Sequence, residues 1–157
     1  LSTLLRQDYP SYEVLFVFDR QDDSAIEVLN LLKKSGVSFR IVIAGPATDS
    51  GQKVHNLRNA VNEVDPRSEV LVFVDTDARP GKLWLRQLVA PLADDRLGAS
   101  SGYRWFVSQR GGLASRLRSV WNATVASGFG DNQQKNFCWG GSTAIRRTVF
   151  EKLKISD

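Results

Sequence analysis

Two carboxylates one residue apart, in Asp75-Thr76-Asp77, are the groups of this 157-residue chain best suited by type and spacing to do chemistry. Just past a strand, both can turn toward one hard cation, and a Mg²⁺ or Mn²⁺ held that way keeps positions open for phosphate oxygens. Such a metal neutralises charge developing on a departing diphosphate. The competing reading is that Asp is common where a strand ends in a turn, and an isolated Asp-x-Asp favours that reading. Asp19 closes an earlier apolar run; its carboxylate could accept hydrogen bonds from a nucleobase or ribose, or merely serve a turn. Asp22 and Asp23 read first as helix caps. Lys53 falls in the first turn of a helix, where a diphosphate would meet free backbone N–H groups and the ammonium together; a solvated surface Lys is the alternative. His55 receives no catalytic role.

The elements that must position these groups are legible in the hydrophobic pattern. Tyr12 to Phe18 is an apolar run suited to a buried strand ending at Asp19. Asp22-Asp23-Ser24 can cap a helix carrying Ala25, Val28, Leu29 and Leu32 on one face, with Gly36 at its end. Phe39 to Ile43 is a second strand. Val54, Leu57, Val61 and Val64 form a helical stripe that Asp65-Pro66 stops. Glu69 to Val74 is the clearest strand, and Asp75 sits at its carboxyl end. Leu85, Leu88, Val89 and Leu92 give another helical face, Leu97 to Trp105 a strand or extended segment, and Leu113 to Thr124 a helix. A polar loop from Gly128 to Asn136 follows, then an extended stretch from Phe137 to Ile145 and a short helix that Thr148 could cap. Strands alternating with helices predict an α/β fold with a mostly parallel sheet. In such sheets ligands lie beyond the carboxyl ends of strands, where Asp19 and Asp75 both fall.

Composition narrows the chemistry. Hydrophobic residues at 42% and charged residues at 24% are a globular balance, not a disordered one. A single Cys, Cys138, leaves no material for an internal disulfide or a Cys-based zinc site, and with a single His there is little for His/Cys metal sites or Ser-His-Asp catalysis, so any metal is expected to be a hard cation on carboxylates. The lone Cys suits a reducing compartment. No apolar run reaches the length of a membrane span. Charge is uneven: residues 1–75 carry eight Lys and Arg against eleven Asp and Glu, residues 76–157 thirteen against six. The basic second half suits anionic partners such as phosphates or an anionic lipid surface. Its aromatics do not follow an RNA-binding spacing, which argues against nucleic acid.

In series, the motifs resemble the family 2 type of glycosyltransferase domain. The resemblance rests on Arg6-Gln7-Asp8-Tyr9-Pro10 leading into Glu13 to Val17, and on the acidic cluster Asp19 to Asp23. Gly51-Gln52-Lys53-Val54-x-Asn56-Leu57 and Phe73-Val74-Asp75-Thr76-Asp77 continue it. Within that class, Gly102-Tyr103-Arg104-Trp105 and Phe137-Cys138-Trp139-Gly140-Gly141-Ser142-Thr143-Ala144-Ile145-Arg146-Arg147 look closest to ceramide glucosyltransferase and its bacterial relatives. The resemblance covers nearly the whole chain.

It implies a GT-A, Rossmann-like fold, incomplete at both ends, with residues 1–157 forming one partial domain. It also implies a UDP-sugar donor, UDP-glucose being the expected one, a Mg²⁺ or Mn²⁺ ion, and a lipid hydroxyl such as that of ceramide as acceptor. The site would be the cytoplasmic face of a membrane reached through a larger parent. By position, Asp19 (or Asp22 in its stead) and Lys53 match nucleotide-side residues, and Asp75 and Asp77 match the metal–diphosphate pair. Trp139, Gly140 and Gly141 match the region where donor sugar and acceptor meet; a tight turn beside a core Trp is the alternative there. The family's catalytic base and its Gln-x-x-Arg-Trp motif would lie beyond Asp157. Its first strand would lie before Leu1, between the Tyr12–Phe18 and Glu69–Val74 strands. Residues 1–157 alone are therefore expected to be inactive. A non-catalytic nucleotide-binding fragment is a rival reading. So is a haloacid-dehalogenase-like phosphatase, although Ala78-Arg79-Pro80 after the triplet and two preceding strands fit it poorly.

Overall fold

The computed structural model describes residues 3–103, 111–129, 136–138 and 141–154. Among these, β1 (Leu15–Phe18), α1 (Ser24–Lys34), β2 (Arg40–Ile43), α2 (Gln52–Asn62) and β3 (Val70–Val74) follow one another in strict alternation. Then come α3 (Trp84–Val89), β4 (Ala99–Ser101), α4 (Leu113–Phe129), β5 (Ser142–Arg146) and α5 (Arg147–Lys152). Local chemistry explains most boundaries. The Asp23 carboxylate accepts from the Ala25 N–H at 2.8 Å and caps α1. Beyond the other end, Gly36 adopts φ +86°, a conformation that favours glycine. Pro91 turns the end of α3 into a short 3-10 segment, Ala90–Ala93. Thr148 does not cap α5. Arg146 holds the cap position without a side-chain bond, because β5 runs straight into the helix.

The α/β class is as expected, but the pairing is more mixed than a mostly parallel sheet. β1 and β2 pair in parallel, from Leu15 opposite Arg40 to Phe18 opposite Ile43. β5 lies between β3 and β4 and is antiparallel to both. Hydrophobic periodicity reports burial and not strand direction, so the reversal at β5 left no trace in the pattern.

Three apolar clusters hold these layers. Phe16, Leu29 and Phe39 pack α1 on the parallel pair, with the two rings edge-to-face at 5.3 Å. Leu71, Ile145 and Phe150 form the second, joined by Val61 of α2 and Val64 just past its end. Leu88, Leu92 and Ala144 form the third, with Val70, Val72 and Trp84 against them. Alternate residues of β3 thus serve two clusters, which is why its sequence is apolar without interruption.

Polar clamps set the spacing of the elements. Buried Gln7 donates to the Thr3 and Gly81 carbonyls at 2.7 and 3.1 Å and accepts from the Leu85 N–H at 3.0 Å. The chain's opening turn is thereby tied to the start of α3. Glu13 accepts from the Asp65 N–H and the Ser68 hydroxyl, both at 2.8 Å, which fixes the amino end of β1 beside that of β3. Yet β1 and β3 do not pair. Each is the edge of its own sheet, and a cleft of about 1220 Å³ lies between them.

Candidate functional site

Asp75 follows β3 directly, and its backbone is held on two sides. Its N–H donates to the Gly141 carbonyl at 3.3 Å, extending the β3–β5 ladder by one rung, and its own carbonyl accepts from the Ala78 N–H at 3.1 Å. The tight turn that results carries Thr76 and Asp77, both exposed. The turn reading of the triplet is therefore correct as local structure, and the turn is also what presents both carboxylates at a strand end.

Lys53 is the second residue of α2, after Gly51 at the N-cap. Its ammonium donates to Asp75 Oδ1 at 2.6 Å. The Asp75 side chain is 23% exposed and that of Lys53 65%, so the pair sits at a mouth open to solvent. Gln52 makes this placement firm. Its Oε1 accepts from the Ala47 N–H at 2.9 Å, and its Nε2 donates to the Gly45 carbonyl and to Asn56 Oδ1 at 2.8 and 2.7 Å. His55 joins the same support through a ring nitrogen 2.9 Å from the Ala44 carbonyl. Residue types in the Gly51-to-Leu57 stretch signalled Lys53 as a ligand group. Gln52, which fixes the loop before α2, was missed, since an uncharged amide gives no sign of what it clamps.

The other anticipated residues divide clearly. Gly141 is brought to Asp75 by the hydrogen bond just described. Trp139 and Gly140 lie outside the described residues, as do Arg104 and Trp105. Asp19 stands one residue past β1, half-buried, and does not line the cleft whose wall includes Lys53, Asp75, Thr76 and Asp77. Asp22 is exposed and lies 3.7 Å from Arg20. A further constraint appears behind the site. Ser142 accepts from the Trp84 indole N–H at 3.0 Å, and a Cβ on Gly102 would come within 2.5 Å of the same hydroxyl. Any side chain at 102 would force Ser142 to shift, because the chain just past β4 lies close to the start of β5.

Among the described residues no group of three or more His, Cys, Asp and Glu could enclose a metal. Asp75 and Asp77 supply a pair of carboxylates, the kind of donor a Mg²⁺-like ion takes. Such ions are held by one or two carboxylates, with water and substrate phosphates filling the remaining positions. The Lys53 ammonium on Asp75 shows that this oxygen already faces a cation.

With that geometry established, the family model of glycosyl transferase family 21 matches residues 1–153. No solved structure matches the chain. The chain belongs to glycosyl transferase family 21, in keeping with the glycosyltransferase domain expected from the series of motifs. No helix among the described residues is long and apolar enough to cross a membrane.

Proposed function

We propose, from that membership, that the chain is the donor-binding part of a transferase moving a hexose from a UDP-sugar, UDP-glucose the expected one, to a lipid hydroxyl such as that of ceramide. The observation that carries the donor half is the meeting of Lys53 and Asp75 at 2.6 Å, which joins a helix N-terminus to an Asp-x-Asp turn. A diphosphate placed there gains the first free N–H groups of α2, the ammonium, and a bound ion in one place. Asp75 and Asp77 would hold Mg²⁺ or Mn²⁺, which supplies neutralisation of the leaving diphosphate. Lys53 orients the phosphates, and Asp19 is assigned to the nucleoside. Gly140 and Gly141, with Trp139, are assigned to the sugar, since glycine permits close backbone approach and Trp offers a flat apolar face. Transfer is inverting: the acceptor oxygen attacks the anomeric carbon opposite the departing UDP. Asp75 and Asp77 are engaged with the donor, so the base that takes the acceptor proton is a different carboxylate.

Calorimetric titration of the chain with UDP tests this reading. Binding is expected with Mn²⁺ and is expected to fall at least tenfold with EDTA, or on Asp75→Asn or Asp77→Asn. UDP affinity that is indifferent to metal and to both substitutions would overturn the assignment.

A further inference from the structure

The helix α4 carries its apolar face outward. Leu113, Leu117, Val120 and Trp121 recur at i, i+4, i+7 and i+8 and form one stripe of the helix. They are 76%, 61%, 63% and 77% exposed. The opposite stripe, at the same spacing, is Ser115, Ser119, Asn122 and Ala123, and it is the half-buried one. A helix on the surface of a globular domain ordinarily has the reverse arrangement, with its apolar side to the core and its polar side to water. None of the four large side chains enters the three apolar clusters of the fold. A continuous apolar patch of this kind marks a contact surface.

The charge around the stripe identifies what it meets. Each helical residue turns about 100°, which sets the exposed Arg116 and Arg118 on the two flanks of the stripe. Between Gly102 and Asp131 the sequence holds four arginines, Arg104, Arg110, Arg116 and Arg118, and no Asp, Glu or Lys. Positive charge bordering an apolar stripe complements a surface that is negative at its rim and apolar beneath, which is the layering of an anionic lipid leaflet. Arginine stems cover apolar surface while their heads reach phosphate. Trp121 offers a ring suited to the headgroup level. The helix lies along such a surface and does not cross it, since no helix among the described residues is long and apolar enough to do so.

We infer that α4 is a docking surface for anionic lipid, with Leu113, Leu117, Val120 and Trp121 in the boundary between headgroups and acyl chains and Arg116 and Arg118 on lipid phosphates. The contact is made by a helix of this chain itself, whereas the family resemblance reaches a membrane only through a larger parent. The chain path ties this helix to the candidate site. It leaves the sheet at Gly102, whose N–H donates to the Ser142 carbonyl at 2.8 Å, and rejoins it at Gly141, whose carbonyl accepts from the Asp75 N–H at 3.3 Å. Exit and return are thus held together beside the Asp75 turn. The inference rests on α4 alone and stands or falls independently of the sugar-transfer reading.

Vesicle flotation of the 157-residue chain, without UDP or metal, reads the outcome directly. The chain should float with vesicles of phosphatidylglycerol and phosphatidylcholine in equal amounts, and bind phosphatidylcholine alone at least about tenfold more weakly. Each arginine near an anionic surface contributes about fivefold, so Arg116→Glu with Arg118→Glu should weaken binding at least tenfold. Leu117→Ser with Trp121→Ser should weaken it by about as much, through lost apolar burial. Both positions are exposed, so the urea midpoint of that variant should hold or rise. Brominated acyl chains should quench the tryptophan emission of the bound chain, and quench it far less in Trp121→Phe, which still binds. Absence of flotation, undiminished binding by either double variant, or displacement by soluble glycerol phosphate would overturn the inference. So would a lowered urea midpoint in Leu117→Ser with Trp121→Ser, which would mean that the folded chain covers the stripe itself. Self-association lost in that variant, with no response to vesicles, would overturn it in favour of a second copy of the chain.

Discussion

Replacing Lys53 with Met should tighten divalent-ion binding while weakening UDP binding, a divergence that few surface substitutions produce. The ammonium lies 2.6 Å from Asp75 Oδ1. A Mg²⁺-like ion binds such an oxygen at about 2.1 Å, which places the two cations no more than about 4.7 Å apart. At the dielectric of water, a single and a double charge at that separation repel by roughly 1.8 kcal/mol. That is about twentyfold in affinity, and salt near 0.15 M, with its screening length of about 8 Å, trims it to about fivefold. Water-like screening is the right limit because 65% of the Lys53 side chain is exposed. Met keeps the length and loses the charge, so Mn²⁺ alone, followed by the electron-spin signal of the free ion, should bind the variant about fivefold more tightly. With UDP present the sign reverses, because a charge-assisted hydrogen bond to phosphate worth roughly 1.5–3 kcal/mol disappears. Stability is the internal control. An exposed ion pair contributes at most about 1 kcal/mol, so the urea midpoint should scarcely move. Unchanged or weaker Mn²⁺ binding in the variant would show that the Asp75 oxygen facing Lys53 is not where the ion sits.

Two further outcomes test the support behind the site. Gly102→Ala puts a methyl 2.5 Å from the Ser142 hydroxyl, which must swing away from the Trp84 indole or push β5 aside; urea unfolding should show a loss of about 1–3 kcal/mol, and a smaller loss when Ser142→Ala is already present, while an equal or larger loss in that background would reject the steric account. The Asp65 carboxyl is held well below the usual carboxylate range, chiefly by its side-chain hydrogen bond from Arg67, and Asp94 is lowered likewise by Arg96. A depressed folded-state value means the contribution is present above about pH 4 and fades as pH falls toward the folded value, so the urea midpoint should decline below pH 4, less steeply in Asp65→Asn with Asp94→Asn, and an identical slope in that double variant would remove both residues from the account.

How far the sequence alone could go is set by the range over which each signal acts. Periodicity placed α1, α2, β1, β2 and β3 within a few residues, because each buries one stripe or one continuous run and carries its own stop signal, such as Gly36 or Asp65-Pro66. It put β4 inside the segment from Leu97 to Trp105 without finding its ends, and it failed at the cap of α5. Ala99–Ser101 is too short and too small-sided to mark its own bounds, and β5 passes into α5 without a capping side chain. At the candidate site the charged residues were visible by type, whereas what positions them was not. Gln52, Gln7 and Glu13 act through hydrogen bonds that include backbone groups 5, 78 and 52 residues away, and no local pattern marks a polar side chain as a clamp. Asp75-Thr76-Asp77 shows the consequence. Its residue types permit either a turn or an ion site, and the structure makes it a turn whose first backbone N–H is fixed by Gly141 and whose first carboxylate is fixed by Lys53. A turn held at both its backbone and its side chain from two separate elements costs little further ordering when an anion and a cation arrive together, and in that sense the structural reading of the triplet is the foundation of the functional one.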